Sequence, residues 1–246
     1  MNIFKKNNRK LEREESIIIT ENNNSVINEN YNRLKDNILF YSDGGKNKVI
    51  QLESSVSGEG KTTVICNLGV SLAYNHKKVV IVDLDFRKPR IHRPFKIANE
   101  NGLGNYFLNE IDKNTLIKHT SYGVDIINRG RIIYNSSFLL TSDKFKNLIG
   151  ELREEYDFVL IDCPPVIQIS DYINISKVTD GVVFIVASGI TKKSLINESI
   201  SMLNKNNIKI IGAVMTYTNI KDMHNYGYYG KCYEYYGKKY GDKENK

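Results

Sequence analysis

Three short stretches hold the residues that could do chemistry. In the first, Ser57-Gly58-Glu59-Gly60-Lys61-Thr62-Thr63 follows an apolar run and opens a helical pattern. Glycines let the backbone fold tightly, so that successive N–H groups point at phosphate oxygens, and the helix N-terminus adds partial positive charge. In that context Lys61 is expected to reach the β- and γ-phosphates of a nucleotide and the Thr62 hydroxyl to ligate Mg²⁺. Ser55 stands where the pattern GxxxxGK[ST] has its first glycine.

The other two stretches are Val80-Ile81-Val82-Asp83-Leu84-Asp85-Phe86-Arg87 and Phe158-Val159-Leu160-Ile161-Asp162. Each ends an apolar strand in aspartate, and open α/β sheets bind ligands at the carboxyl ends of their strands. A single strand-end aspartate is as often a helix cap; three of them accompanying a phosphate loop point to a nucleotide and its metal. Asp171 reads more simply as a cap for the helix after Asp162 than as a sensor of the γ-phosphate. Arg87, Lys88, Arg90 and Arg93 form a basic run, which steers phosphate or is simply a solvated face.

The elements that must position these residues alternate. Strands are expected at Lys48–Glu53, Val79–Leu84, Val124–Asn128, Phe158–Asp162, Gly181–Ala187 and Ile208–Met215. Runs such as Val79-Val80-Ile81-Val82 indicate strands buried on both faces, as in a parallel sheet. Helices are expected near Thr62–Asn75, Asp143–Glu155 and Lys192–Asn206. Ile27, Tyr31, Leu34, Ile38 and Tyr41 recur at helical spacing and predict an amphipathic helix over 26–41. Alternating strands and helices imply right-handed crossovers and a doubly wound, mostly parallel α/β sheet. The expected organisation is a flexible polar arm over 1–25, a phosphate-loop domain over 26–218, and a mobile tail over 219–246. That tail carries Tyr226, Tyr228, Tyr229, Tyr233, Tyr235, Tyr236 and Tyr240 among Gly and Lys, with no period able to bury the rings.

At 246 residues, 41 % hydrophobic and 26 % charged, the chain has the composition of one globular α/β domain. It has no apolar run near the roughly 20 residues that span a bilayer and no secretory leader, so a cytoplasmic location is expected. Cys66, Cys163 and Cys232 are widely spaced and odd in number, which argues for reduced thiols and against a disulfide framework or zinc site. The net charge of +7 suits an acidic partner or an anionic membrane face without implying nucleic-acid binding, and none is expected.

The two acidic motifs, the phosphate loop, Ile161-Asp162-Cys163-Pro164-Pro165 and the tyrosine-rich C-terminus together resemble the bacterial tyrosine kinases of capsular and exopolysaccharide synthesis, in their stand-alone Gram-positive form. The resemblance runs from about Glu29 to the C-terminus. It includes Asp83-Leu84-Asp85-Phe86-Arg87-Lys88-Pro89 and Pro164-Pro165-Val166-Ile167-Gln168-Ile169-Ser170-Asp171. Glu29 to Ile38 looks like the family's Glu-x-x-Arg-x-x-Arg oligomerisation helix, although Asn32 and Lys35 occupy the arginine positions and Arg33 sits one residue off. The nearest other group is the ParA/MinD ATPases, switches without kinase activity. Their signature lysine early in the loop is Val56 here, and they lack a tyrosine tail.

The resemblance implies an ATP- and Mg²⁺-dependent tyrosine autokinase on a phosphate-loop fold of the MinD/ParA-like group. Thr62, Asp85 and Asp162 would hold Mg²⁺, while Lys61, Asp83 and Asp85 would act on the transferring phosphoryl group and the tyrosine hydroxyl. The separate roles of Asp83 and Asp85 stay open. The seven tail tyrosines would be acceptors, modified by a neighbour within a ring that phosphorylation breaks up. Further implied partners are a membrane adaptor of polysaccharide co-polymerase type, which recruits the chain to the inner membrane face, and a cognate tyrosine phosphatase.

Overall fold

The computed structural model describes residues 16–20, 25–134 and 136–218. Its strands are β1 (Val49–Ser54), β2 (Val79–Asp83), β3 (Lys118–His119), β4 (Val124–Ile127), β5 (Phe158–Asp162), β6 (Gly181–Ala187) and β7 (Ile210–Thr216). They form one sheet in the order β3-β4-β2-β5-β1-β6-β7, parallel throughout except for β3, which pairs antiparallel with β4. Every residue of β1, β2 and β5 is buried. Helices cover both faces, so alternate residues meet different layers and the strands read as unbroken apolar runs.

The helices are α1 (Val26–Tyr41), α2 (Lys61–Tyr74), α3 (Leu103–Phe107), α4 (Lys113–Leu116), α5 (Ser136–Leu140), α6 (Asp143–Glu155), α7 (Asp171–Ser176) and α8 (Lys193–Lys205). On one face Ile50, Leu52, Ile81 and Leu160 share a buried cluster with Ile65 and Leu68 of α2 and Ile38 of α1. On the other, Val80, Val82, Val159 and Ile161 meet Phe145, Leu148 and Leu152 of α6. The period of two along β2 is thus visible as two cores, one per face.

The expected strands and long helices all form, with ends that coincide or shift by one or two residues. The short elements β3, α3, α4 and α5 have no counterpart in the sequence pattern, because none is long enough to show a period, and α7 is the helix expected after Asp162. Helix α1 starts at Ser25, whose hydroxyl accepts from the Asn28 N–H at 3.2 Å, and ends with Tyr41 donating to the Asp180 carbonyl at 2.7 Å. On its outer side Glu29 pairs with Arg33 at 3.3 Å, the arginine one residue off the family spacing.

Residues 16–20, expected within a flexible arm, lie against α2. The Ile18 and Ile19 N–H groups donate to Asn67 Oδ1 at 2.7 and 3.3 Å, Asn67 Nδ2 donates to the Ser16 carbonyl, and Ile19 is buried. A fully buried asparagine in the middle of α2 is what receives this segment. The tail 219–246, with its seven tyrosines and Cys232, lies outside the described residues. Cys66 and Cys163 are free and buried. Among the described residues no helix is long and apolar enough to cross a membrane.

Candidate functional site

Strand register builds the site. Leu52 of β1 pairs with Asp162 of β5, and Asp162 pairs with Asp83 of β2. Three adjacent central strands therefore end at one level. The chain leaves β1 through residues 55–60, and α2 begins at Lys61. Gly58 and Gly60 take φ of +90° and +86°, the left-handed region where a side chain is strained. At Gly60 an added Cβ would also stand 3.3 Å from Thr216 Cγ2, so backbone shape calls for this glycine and a side chain would crowd Thr216.

At the start of α2, Lys61 Nζ donates to Asp162 Oδ1 at 2.9 Å and Thr62 Oγ1 donates to Asp162 Oδ2 at 2.9 Å. Lys61 and Asp162 are both buried. Burial opposes the ammonium charge. Asp162 beside it, and then Asp85 and Glu53, outweigh that and hold its pKa above the ordinary lysine value. Lys61 thus faces Asp162 first and Asp85 after it. The fit to Mg²⁺ follows, since a divalent cation would offset the carboxylate charge that one ammonium leaves unbalanced, with the Thr62 hydroxyl and Asp162 carboxylate already adjacent. Among the described residues no three His, Cys, Asp or Glu side chains form a metal cage. Mg²⁺ rarely uses one, being held by one or two carboxylates with phosphates and water.

The structure separates Asp83 from Asp85. Asp83 is fully buried; its Oδ1 accepts from the Asp85 N–H at 3.2 Å, and its Oδ2 from the Arg90 and Ile91 N–H groups at 3.0 and 3.2 Å. Burial first, and then the nearby Asp162 charge, raise its pKa well above the carboxylate range, against the pull of the Ile91 N–H. Asp85 is only partly buried and accepts from the Arg87 and Lys88 N–H groups at 3.2 and 2.9 Å. Asp83 organises the loop after β2, and Asp85 is the carboxylate with a path to solvent. In the basic run, Arg87, Lys88 and Arg93 are exposed, while Arg90 contributes its backbone to Asp83.

Asp171 is not a cap. Ser170 holds the N-cap position of α7 without a side-chain bond, and Asp171 is the first helical residue, buried, with Ser137 Oγ donating to it at 2.5 Å. Of the expected nucleotide-binding residues, Ser57 and Gly58 are exposed on the loop, and Gly60 and Thr63 are partly so. Glu59 turns inward and is buried. The structure brings together Lys61, Thr62, Asp83, Asp85 and Asp162.

Several residues here carry no motif. Glu53, at the end of β1, is fully buried with Oε1 accepting from Gln51 Nε2 at 2.5 Å. Thr191, Thr216 and Tyr217 bind the phosphate loop from behind. A cleft of about 280 Å³ adjoins that loop, lined by Ile27, Tyr31, Leu34, Val64, Met215 and Tyr217 among others. Thr191, Thr216 and Tyr217 lie far from the motif in sequence, and only the fold of the last two strands brings Thr216 and Tyr217 there.

A mostly parallel sheet, a phosphate loop after β1 and aspartates ending β2 and β5 define a P-loop nucleotide-binding protein. A family model described as an AAA domain matches residues 47–205. The chain is 31 % identical to the tyrosine-protein kinase YwqD of Bacillus subtilis (strain 168) over 91 % of this chain and 94 % of that one. It is 30 % identical to the putative tyrosine-protein kinase CapB of Staphylococcus aureus over 84 % and 92 % of the two chains. It superposes on the crystal structure of the chimerical protein CapA2B2 with a TM-score of 0.77 and 34 % identity, over 81 % of this chain and 88 % of that one. Against the cell-division ATPase MinD of Pyrococcus furiosus the TM-score is 0.57 at 25 % identity, covering 69 % of this chain and 71 % of that one. The chain belongs to the bacterial tyrosine-protein kinases, on the fold that they share with MinD.

Proposed function

We propose that this chain is an ATP- and Mg²⁺-dependent tyrosine autokinase that regulates polymerisation and export of a capsular or extracellular polysaccharide. The observation that carries this reading is the joint engagement of Lys61 and Thr62 by Asp162, with Asp83 and Asp85 ending the neighbouring strand. Phosphoryl transfer needs positioning and charge neutralisation more than covalent chemistry. Backbone amides of 57–62 hold the phosphates, and Lys61 leaves Asp162 for the β–γ bridge when nucleotide enters. Thr62, Asp162 and Asp85 would hold Mg²⁺, which supplies charge neutralisation there. Asp83 lies next to Asp85 and orients the incoming phenol, or accepts its proton once a cation beside Asp162 would favour its ionised form. The accessible Asp85 is the first carboxylate that an incoming tyrosine meets.

The acceptors are Tyr226, Tyr228, Tyr229, Tyr233, Tyr235, Tyr236 and Tyr240, presented to a neighbouring copy in a ring-like homo-oligomer. A tethered acceptor has a high effective concentration. Each phosphate adds about −1.5 to −2 charges, enough for a few to reverse the sign of the tail and loosen the ring. A membrane adaptor of polysaccharide co-polymerase type recruits the chain to the inner membrane face and activates it, and a cognate phosphatase resets it. No nucleic acid takes part.

The test is incubation of the pure chain with Mg-ATP, with and without the cytoplasmic tail of a candidate adaptor, and phosphotyrosine mapped by peptide mass spectrometry. Phosphates on the tail tyrosines that vanish in Lys61→Met support the kinase. ATP consumption with an unmodified tail under both conditions would make a MinD-type ATPase switch the better reading.

A further inference from the structure

The phosphate loop leaves two of its carbonyls facing backwards. Its N–H groups serve a ligand on one side, so the Gly58 and Glu59 carbonyls on the other side need donors from elsewhere in the fold. The Gly58 carbonyl accepts from the Tyr217 hydroxyl at 3.3 Å, and the Glu59 carbonyl accepts from Thr216 Oγ1 at 2.7 Å. Both donors stand at the end of β7, nearly 160 residues on in sequence. The buried Glu59 side chain completes the brace: Oε2 accepts from the Val56 N–H at 2.7 Å, and Oε1 accepts from Thr191 Oγ1 on the turn after β6.

Two further observations show that this contact is built. Tyr217 has φ +54°, a left-handed backbone uncommon for a bulky side chain. That conformation turns its ring back over the loop, and Tyr217 Oη stands 3.5 Å from where a Cβ on Gly60 would sit. Strained backbone persists where surrounding structure over-determines it, and clusters at active sites, ligand clamps and switch regions.

We infer that Tyr217 and Thr216 are positioning residues for nucleotide: they clamp the rear of the phosphate loop, so that its amides are aimed before the phosphates arrive. The inference rests on the nucleotide-binding reading of residues 57–63. Tyr217 acts through the Gly58 carbonyl and sets the orientation entropy that the loop loses on binding.

The experiment is calorimetric titration of the full-length chain with Mg-ADP, for wild type, Tyr217→Phe, Thr216→Val and Lys61→Met, with the thermal midpoint of each measured without nucleotide. Each of the first two variants deletes one hydroxyl and keeps the shape. Loss of one neutral hydrogen bond is expected to weaken Mg-ADP roughly 3- to 10-fold, with the nucleotide-free midpoint lowered by no more than about 4 °C. Tyr217→Phe and Thr216→Val that bind like wild type overturn the inference. So does a fall in midpoint well beyond that, which marks the contacts as general stabilisers. A wild type that gives no heat, indistinguishable from Lys61→Met, removes the nucleotide reading itself and the clamp with it.

Discussion

Replacing Glu53 by Gln should change how the stability of this chain depends on pH. Glu53 is fully buried at the end of β1, with one oxygen bonded to Gln51 and Oε2 without a hydrogen-bond partner, the weakly donating Cys163 thiol lying nearby. Burial pushes its pKa from the ordinary 4.5 up to about 8, and Asp162 adds to this; the Gln51 hydrogen bond and the Lys61 charge oppose it. Between those two values the folded chain keeps a proton that the unfolded chain has released. Stability from this group is therefore complete below about pH 4.5 and is lost as pH rises, levelling off above about 8. The loss is about 1.4 kcal/mol per pH unit, or roughly 4–5 kcal/mol across the whole window. Glutamine keeps the shape and cannot ionise, so this slope disappears. Urea unfolding of both chains at pH 5.5, 6.5 and 7.5 measures it. The free-energy difference between variant and wild type should shift in favour of the variant by roughly 2–3 kcal/mol from the lowest to the highest pH. Parallel stability profiles for the two chains would refute the claim that Glu53 is protonated in the fold.

Three further substitutions separate stability from chemistry. Gly60→Ala forces a side chain into φ +86° and against Thr216; it should cost about 1–2 kcal/mol by thermal unfolding and abolish Mg-ADP binding by calorimetry. Asp180→Ala, at the opposite edge of the sheet, removes the acceptor of the Lys48 and Val49 N–H groups and of both Arg153 Nη atoms. The expected loss is about 2–4 kcal/mol in urea unfolding, with nucleotide affinity unchanged in the protein that remains folded. Asp85→Asn, on a partly exposed loop, should leave the thermal midpoint within about 2 °C, since surface changes stay within about 0.5 kcal/mol. Its tail phosphorylation in Mg-ATP, read by mass spectrometry, should fall at least about tenfold if Asp85 supports the metal.

Much of this protein is written locally. The phosphate loop is legible because glycine spacing and a Lys-Thr pair at a helix start are demanded by backbone geometry within seven residues. The strands of the sheet are legible because burial on both faces leaves runs such as Val79–Val82 with no polar residue. Helix α1 shows its period over 16 residues and its serine cap. Asp83 and Asp162 could be placed together because parallel strands deliver their ends to one edge, and the register Asp83 to Asp162 does so.

What the tertiary structure alone decided depends on contacts distant in sequence. Asp83 and Asp85 are two residues apart and chemically identical on paper. They differ because the loop folds back and lays the Arg90 and Ile91 N–H groups on Asp83 only. Residues 16–20 look like polar arm until Asn67, inside α2, supplies their hydrogen bonds. Thr191, Thr216 and Tyr217 carry no motif, since a hydroxyl at a strand end is common, and what singles them out is the backward-facing carbonyls and the Glu59 carboxylate that they reach. A local pattern records what the backbone nearby requires. Charge burial and the partners of a distant carbonyl are properties of the assembled sheet, and these set the proton on Glu53 and the brace on the phosphate loop.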